Sequence, residues 1–152
     1  MSTLIDFPLD RRHPAMPSAP LPHGGSAAAL VRQARAGVAE AQQEPDPAQR
    51  FATAYLAALR AAAAMLALRG RPHRGRARPA SAWVLLTRMA PELAEWAAFF
   101  ASCSSTRAAI LAGVTRRVTQ RSADDLVRQA AQFTDLVAGF VTAHDTSRPD
   151  RD

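Results

Sequence analysis

Five arginines crowd into ten residues of this chain. Arg69, Arg71, Arg74, Arg76 and Arg78 fall in the segment 69–78, with His73 among them and no acidic residue. The guanidinium group is a permanent cation with a planar fork of donors that matches phosphate oxygens. A flexible arm carrying it at this density would bind polyanions chiefly by counterion release, with little readout of sequence. No aromatic residue is interleaved with these arginines, so the segment gives no support to base stacking. The alternative is a solvated loop whose arginines come from codon usage, and the residues alone leave both readings open. His73 could move a proton beside a bound phosphate. It could equally be an exposed loop histidine with no chemistry.

Other reactive side chains point less far. His13, His23 and His144 fall near the ends of the chain and make no metal-ligand spacing with Cys or carboxylates. No metal or cofactor is therefore expected. Cys103 has Ser and Thr for sequence neighbours and no adjacent base, which favours a small packed side chain over a nucleophile. Asp124 and Asp125 read as electrostatic support for a helix N-terminus. Tyr55, Trp83, Trp96, Phe99 and Phe100 lie at helical spacings, so core packing is the default reading. Phe99 and Phe100 cannot both face one core, which suggests a seam for a second copy.

The elements that position these residues are helices. Thirty-five of the 152 residues are Ala, the strongest helix former. Ser26 opens a first helix with Leu30, Ala34, Val38 and Ala41 on one face. Asp46 followed by Pro47 is a start signal for a second, with Phe51, Tyr55, Ala58 or Leu59, Ala62 and Met65 or Leu66 in its stripe. Gly70 and Pro72 end it. The arginine-rich loop spans 69–80. Ser81 caps a third helix through Met89, and Pro91 breaks it, because the residue before a proline is pushed out of helical conformation. A fourth runs from Pro91 through Phe100 towards Leu111, with a bend expected at Ser102–Thr106, and ends at Gly113. The last opens at Thr119 or Ser122, carries Leu126, Ala130, Phe133, Val137, Phe140 and Val141, and finishes near Ala143. No alternating strand pattern and no internal repeat is present. The expectation is an all-α, antiparallel four- to five-helix bundle over residues 26–143, preceded by a disordered proline-rich arm (1–25) and followed by a flexible tail (144–152).

Composition bounds the setting. The chain carries a net charge of +6, and every one of its nineteen basic residues is Arg. The five arginines of 69–78 leave only +1 for everything else, so the body is near neutral and one segment is a cation. That fits an anionic partner; GC-rich codons would produce the same absence of Lys. A single cysteine permits no internal disulfide, which suits a reducing cytoplasm. The absence of a run of about 18 apolar residues argues against a membrane span.

The segment Asp46–Met65, the run Ser81-Ala-Trp-Val-Leu-Leu86 and the run Pro91-Glu-Leu-Ala-Glu-Trp-Ala-Ala-Phe-Phe100 together resemble HEPN domains, and in particular a small stand-alone subfamily of high-GC bacteria. The resemblance covers about Ala27 to Val141. It implies an up-and-down helical bundle, often dimeric, associated broadly with RNA or nucleotides. Many HEPN proteins are metal-independent ribonucleases carrying Arg, four to six residues, then His. This chain departs from that pattern. No Arg stands five to seven positions before His13, His23, His73 or His144, and the nearest approach, Arg69 to His73, is one residue short and interrupted by Gly70 and Pro72. The residues and the resemblance together imply a non-catalytic module for RNA or another polyanion using Arg69, Arg71, Arg74, Arg76 and Arg78. The alternatives are a protein-interaction or homodimerisation module, and a divergent metal-independent ribonuclease.

Overall fold

A computed structural model describes residues 23–70 and 79–148. Five α-helices follow in order: α1 (His23–Gln43), α2 (Pro47–Arg69), α3 (Pro79–Met89), α4 (Ala94–Leu111) and α5 (Gln120–Ser147), with one 3₁₀ turn, Pro91–Leu93, between α3 and α4. No strand occurs among the described residues. The all-α bundle is the architecture the periodicity predicts. The proposed arm lies outside the described residues up to position 22, and α1 opens at His23, before Ser26.

Each boundary has a local cause. Asp46 caps α2 by accepting from the Gln49 amide at 3.0 Å, and Pro47 stands in the first turn, where no intrahelical donor is needed. Gly70 ends α2 with φ at +82°, a conformation that a side chain disfavours. Pro79 opens α3 two residues ahead of Ser81, for the reason that Pro47 opens α2. Ala90 leaves the helical region at φ −139°, as a residue before proline should, and Pro91 starts the 3₁₀ turn. α4 runs without interruption through Ser102–Thr106, so the helix does not break or fray there. Ser102 and Ser104 instead donate to the carbonyls of Phe99 and Ala101, so hydroxyls that could have competed with the helix are satisfied along it. Thr119 and Ser122 form a reciprocal capping box at the start of α5. α5 continues past Ala143 to Ser147, and Thr146 and Ser147 bond back to carbonyls of its last turns.

Contacts between helices fix their directions. Trp83 near the start of α3 meets Tyr55 of α2, whereas Met89 at its end meets Arg69. The two helices therefore run the same way, and the segment 71–78 joins ends at opposite levels. Arg50 pairs with Asp124 at the opening of α2 and α5, and Arg69 lies over Phe140 near their far ends, so α5 is also parallel to α2. α1 and α4 run against these three. The helices joined by short connections are thus antiparallel neighbours.

The core solves the problem set by an Ala-rich sequence. Ala54, Ala57, Ala58, Ala61, Ala62 and Ala64 of α2 are fully buried, so α1 and α5 approach it closely. At Gly37 of α1 a Cβ would stand 3.0 Å from that of Ala57. Bulk comes from Tyr55, Trp83, Phe100, Phe133 and Met65, all at 2 % exposure or less. α2 is long and apolar enough to cross a membrane by length and composition alone, which the sequence reading did not anticipate; 56 % of its most apolar window is buried inside the bundle.

Candidate functional site

The five arginines singled out by sequence divide at the end of α2. Arg71, Arg74, Arg76 and Arg78, together with His73, lie outside the described residues. Arg69 lies inside them, and its guanidinium is engaged on three sides. It donates to the Met89 carbonyl at 3.0 Å and to the Glu92 carboxylate at 2.5 Å, and it sits 5.7 Å from the centre of the Phe140 ring. These contacts close the corner where α2, the α3–α4 turn and α5 meet. The hydrogen bond from Arg69 is the main reason that the Glu92 carboxyl is held below its ordinary value. A guanidinium so used has few donors left for phosphate.

The aromatic residues pack as the helical spacing implies. Trp83 stacks on Phe100 with ring centres 5.2 Å apart, and Phe133 lies against both. The Trp83 indole N–H donates to the Tyr55 hydroxyl at 2.9 Å, which satisfies a donor that would otherwise be stranded in the core. Sequence reasoning gave Arg107 no role, yet it belongs to this group. Its guanidinium stands 5.4 Å from the Tyr55 ring centre, its Nε is buried without a partner, and it makes no ion pair among the described residues. The signal was present: Arg107 is the only base in α4, a helix otherwise made of small and apolar residues plus Glu95. Cys103 is half-buried one turn earlier, and burial pushes its thiol up, which disfavours the nucleophilic thiolate.

A second basic stretch follows. Residues 107–121 contain Arg107, Arg116, Arg117 and Arg121 and no acid. Arg116, Arg117 and Arg121 are exposed on the α4–α5 connection and the first turn of α5, and none makes an ion pair among the described residues. The nearest acids in sequence are already used: Asp124 pairs with Arg50 and Asp125 with Arg128. Arg35, by contrast, pairs with Asp135 across α1 and α5. The segment 71–78 rejoins the helices at Pro79, four residues before Trp83. Trp83 and Arg107 both sit on Tyr55.

The outer side of α4 has a different character. Phe100 is fully buried and Phe99 is 38 % exposed, so the pair divides as the sequence required. Ala98, Ala101, Ser102, Ser105, Ala108 and Leu111 are exposed along the same helix, and Glu95 is the only exposed charge on it. Among the described residues no group of three His, Cys, Asp or Glu side chains is placed to hold a metal ion.

The comparison with protein families bears on this arrangement. The family model described as SAV_6107-like HEPN matches residues 41–138, from the last turn of α1 into α5. Neither the curated proteins nor the solved structures gave a match. The match takes in the whole of α2, α3 and α4, well over half of the chain, so this protein belongs to the HEPN family.

Proposed function

We propose that this HEPN domain binds RNA or a related polyanion without cleaving it, through arginines that the fold does not consume. The observation that carries the reading is where the arginines fall: one set is paired inside the bundle, a second is clustered in two acid-free stretches, and Arg32, Arg88 and Arg148 are exposed and scattered. Arg35, Arg50, Arg69 and Arg128 are matched to carboxylates within the bundle. Arg116, Arg117 and Arg121 are exposed and unmatched among the described residues, and Arg71, Arg74, Arg76 and Arg78 occupy a segment with no acid in it. These seven outweigh the chain's entire net charge of +6, which leaves a body of net −1. Charge concentrated in this way raises the local concentration of a polyanion and speeds encounter. Arg69 drops out of the expected binding set because Glu92 and Met89 hold it. The missing Arg–His spacing supports binding over cleavage, since nothing pairs a proton shuttle with a phosphorane-stabilising cation at the family's spacing.

The test is an anisotropy titration of labelled single-stranded RNA at several salt concentrations. Four phosphate contacts on a single strand give a log–log salt slope of about −3, or roughly 50-fold weaker binding between 50 and 200 mM salt. Changing Arg71, Arg74, Arg76 and Arg78 to Ala should remove most of that slope, leaving what Arg116, Arg117 and Arg121 contribute. Wild-type protein that fails to bind at low salt would refute the reading. Metal-independent cleavage lost on His73→Ala would replace it with a ribonuclease.

The outer side of α4 favours a second reading, association with another copy through Phe99, Leu111 and the alanines between them. Sedimentation separates the two. A stable dimer disrupted by Phe99→Asp, with no affinity for RNA, would make the interaction role primary.

A further inference from the structure

Between α4 and α5 the bundle leaves large apolar side chains partly open. Trp96 and Phe100 of α4 lie against Phe133 of α5, with ring centres 5.6 and 5.2 Å apart. Phe99 follows Trp96 by three residues on α4, and Leu136 and Phe140 follow Phe133 by three and seven on α5. Those spacings bring them to the same seam. Phe99 and Leu136 are each 38 % exposed, and Trp96 and Phe140 are half-buried. α4 packs on α2 and α3, and α5 on α1 and α2, so among the described residues no element covers the strip.

Three observations name an occupant. The first is position. α1 is antiparallel to α5, with Arg35 beside Asp135. Its start at His23 therefore lies at the end of the bundle where Arg69 meets Glu92 and Phe140, and residues 1–22 join the bundle beside the strip. The second is composition. Leu4, Ile5, Phe7 and Leu9 fall within six residues of that segment, and Ile5, Phe7 and Leu9 alternate as one side of an extended chain would. GC-rich codons can supply Arg, Ala and Pro but not Ile or Phe, and Ile5 is one of only two isoleucines in the chain. The third is charge. Arg11 and Arg12 follow the apolar run on the way to His23. Glu95, exposed in the first turn of α4, makes no ion pair among the described residues. Reach is ample: the fourteen Cα steps from Leu9 to His23 span up to about 46 Å, against roughly 27 Å for the whole of α4. We propose that the segment Leu4–Leu9 docks on this strip of its own chain, with Arg11 and Arg12 towards Glu95. The proposal is independent of the RNA reading. A docked segment covers Phe99, so it competes with the association of two copies through α4.

The experiment is paramagnetic relaxation enhancement on the full chain, read by amide-resolved NMR. A spin label on Thr3→Cys, in a Cys103→Ser background so that it occupies one site, should broaden the amides of 96–99 and 136–140. It should leave those of 116–121, at the other end of the bundle, sharp. Changing Leu4, Ile5, Phe7 and Leu9 to Ser alters nothing inside the bundle and should abolish that selective broadening without moving Tm. Phe99→Ser with Leu136→Ser replaces two exposed side chains of the strip and should abolish it from the other side. Absence of selective broadening in the labelled chain with its native Leu4–Leu9 overturns the proposal. So does broadening that persists in both sets of variants. In a mixture of spin-labelled chains with unlabelled, isotope-enriched ones, broadening of the enriched strip would put the segment on a second copy and overturn its assignment to its own chain.

Discussion

Arg69→Ala separates a structural arginine from binding ones. The side chain is 31 % exposed and makes three contacts at the corner of α2, the α3–α4 turn and α5. The bond to the Met89 carbonyl is charge-assisted and partly buried, and the position over Phe140 is a cation–π contact. Together these are worth about 1–2 kcal/mol once discounted for solvent. The Glu92 pair adds little, because its carboxylate lies open to water. For a domain of this size the loss lowers Tm by roughly 3–8 °C. Charge at this position should not matter to a polyanion already screened from it by Glu92. The assay is thermal unfolding beside the RNA titration. Arg69→Ala should be less stable with an unchanged salt slope, whereas the quadruple variant at Arg71, Arg74, Arg76 and Arg78 should keep its Tm and lose most of the slope. An Arg69→Ala protein of wild-type stability that has lost as much RNA affinity as the quadruple variant would refute the division of the arginines.

Three further outcomes test the fold around the site. Tyr55→Phe removes the acceptor of the Trp83 indole and strands a buried donor, so denaturant unfolding should show a loss of about 1–3 kcal/mol. Gly37→Leu forces a branched side chain towards the Ala57 Cβ, which a Cβ at position 37 already approaches to 3.0 Å; chemical denaturation should show a loss of about 1–3 kcal/mol from overpacking. Glu92 has a folded pKa below its unfolded value of about 4.5, so its pairing stabilises the fold above that pH, and the contribution fades as acid titrates through the lowered value. The advantage of wild type over Glu92→Gln in urea should therefore be present at pH 7 and vanish in strong acid.

Much of this was legible in the sequence because helix boundaries are written in short signals. Asp46-Pro47, Gly70, Pro91 and Thr119 each mark an element end for a reason local to three or four residues. The aromatic core was legible from spacing. What was not legible depends on contacts distant in sequence. Arg69 and Arg71 look alike in the chain, and only the 23-residue reach from Arg69 to Glu92 distinguishes them. Arg107 finds Tyr55 across α2 and α4. The continuity of α4 through Ser102 was missed for another reason: hydroxyl back-bonding and helix breaking start from the same residue type.

The direction of α3 bears on how much the arginine segment itself explains. α3 is parallel to α2, so the chain leaving Arg69 must return about the length of α3, roughly 16 Å, before it can enter at Pro79. A connection of some length is therefore required by topology, and length says nothing about ligands. Composition is what topology leaves unexplained: four arginines in eight residues where glycine and serine would serve. The two contributions can be pulled apart. Replacing 71–78 with Gly and Ser at the same length should preserve the unfolding midpoint and remove most of the salt-sensitive RNA binding. Deleting 71–77 leaves three Cα steps from Arg69 to Pro79, about 11 Å at full extension, which cannot span the return without unwinding the end of α2. That deletion should lower stability by at least what Arg69→Ala does, since Arg69 is the first residue pulled from its contacts. A deletion variant that folds with full stability would show that α3 does not run parallel to α2 as described.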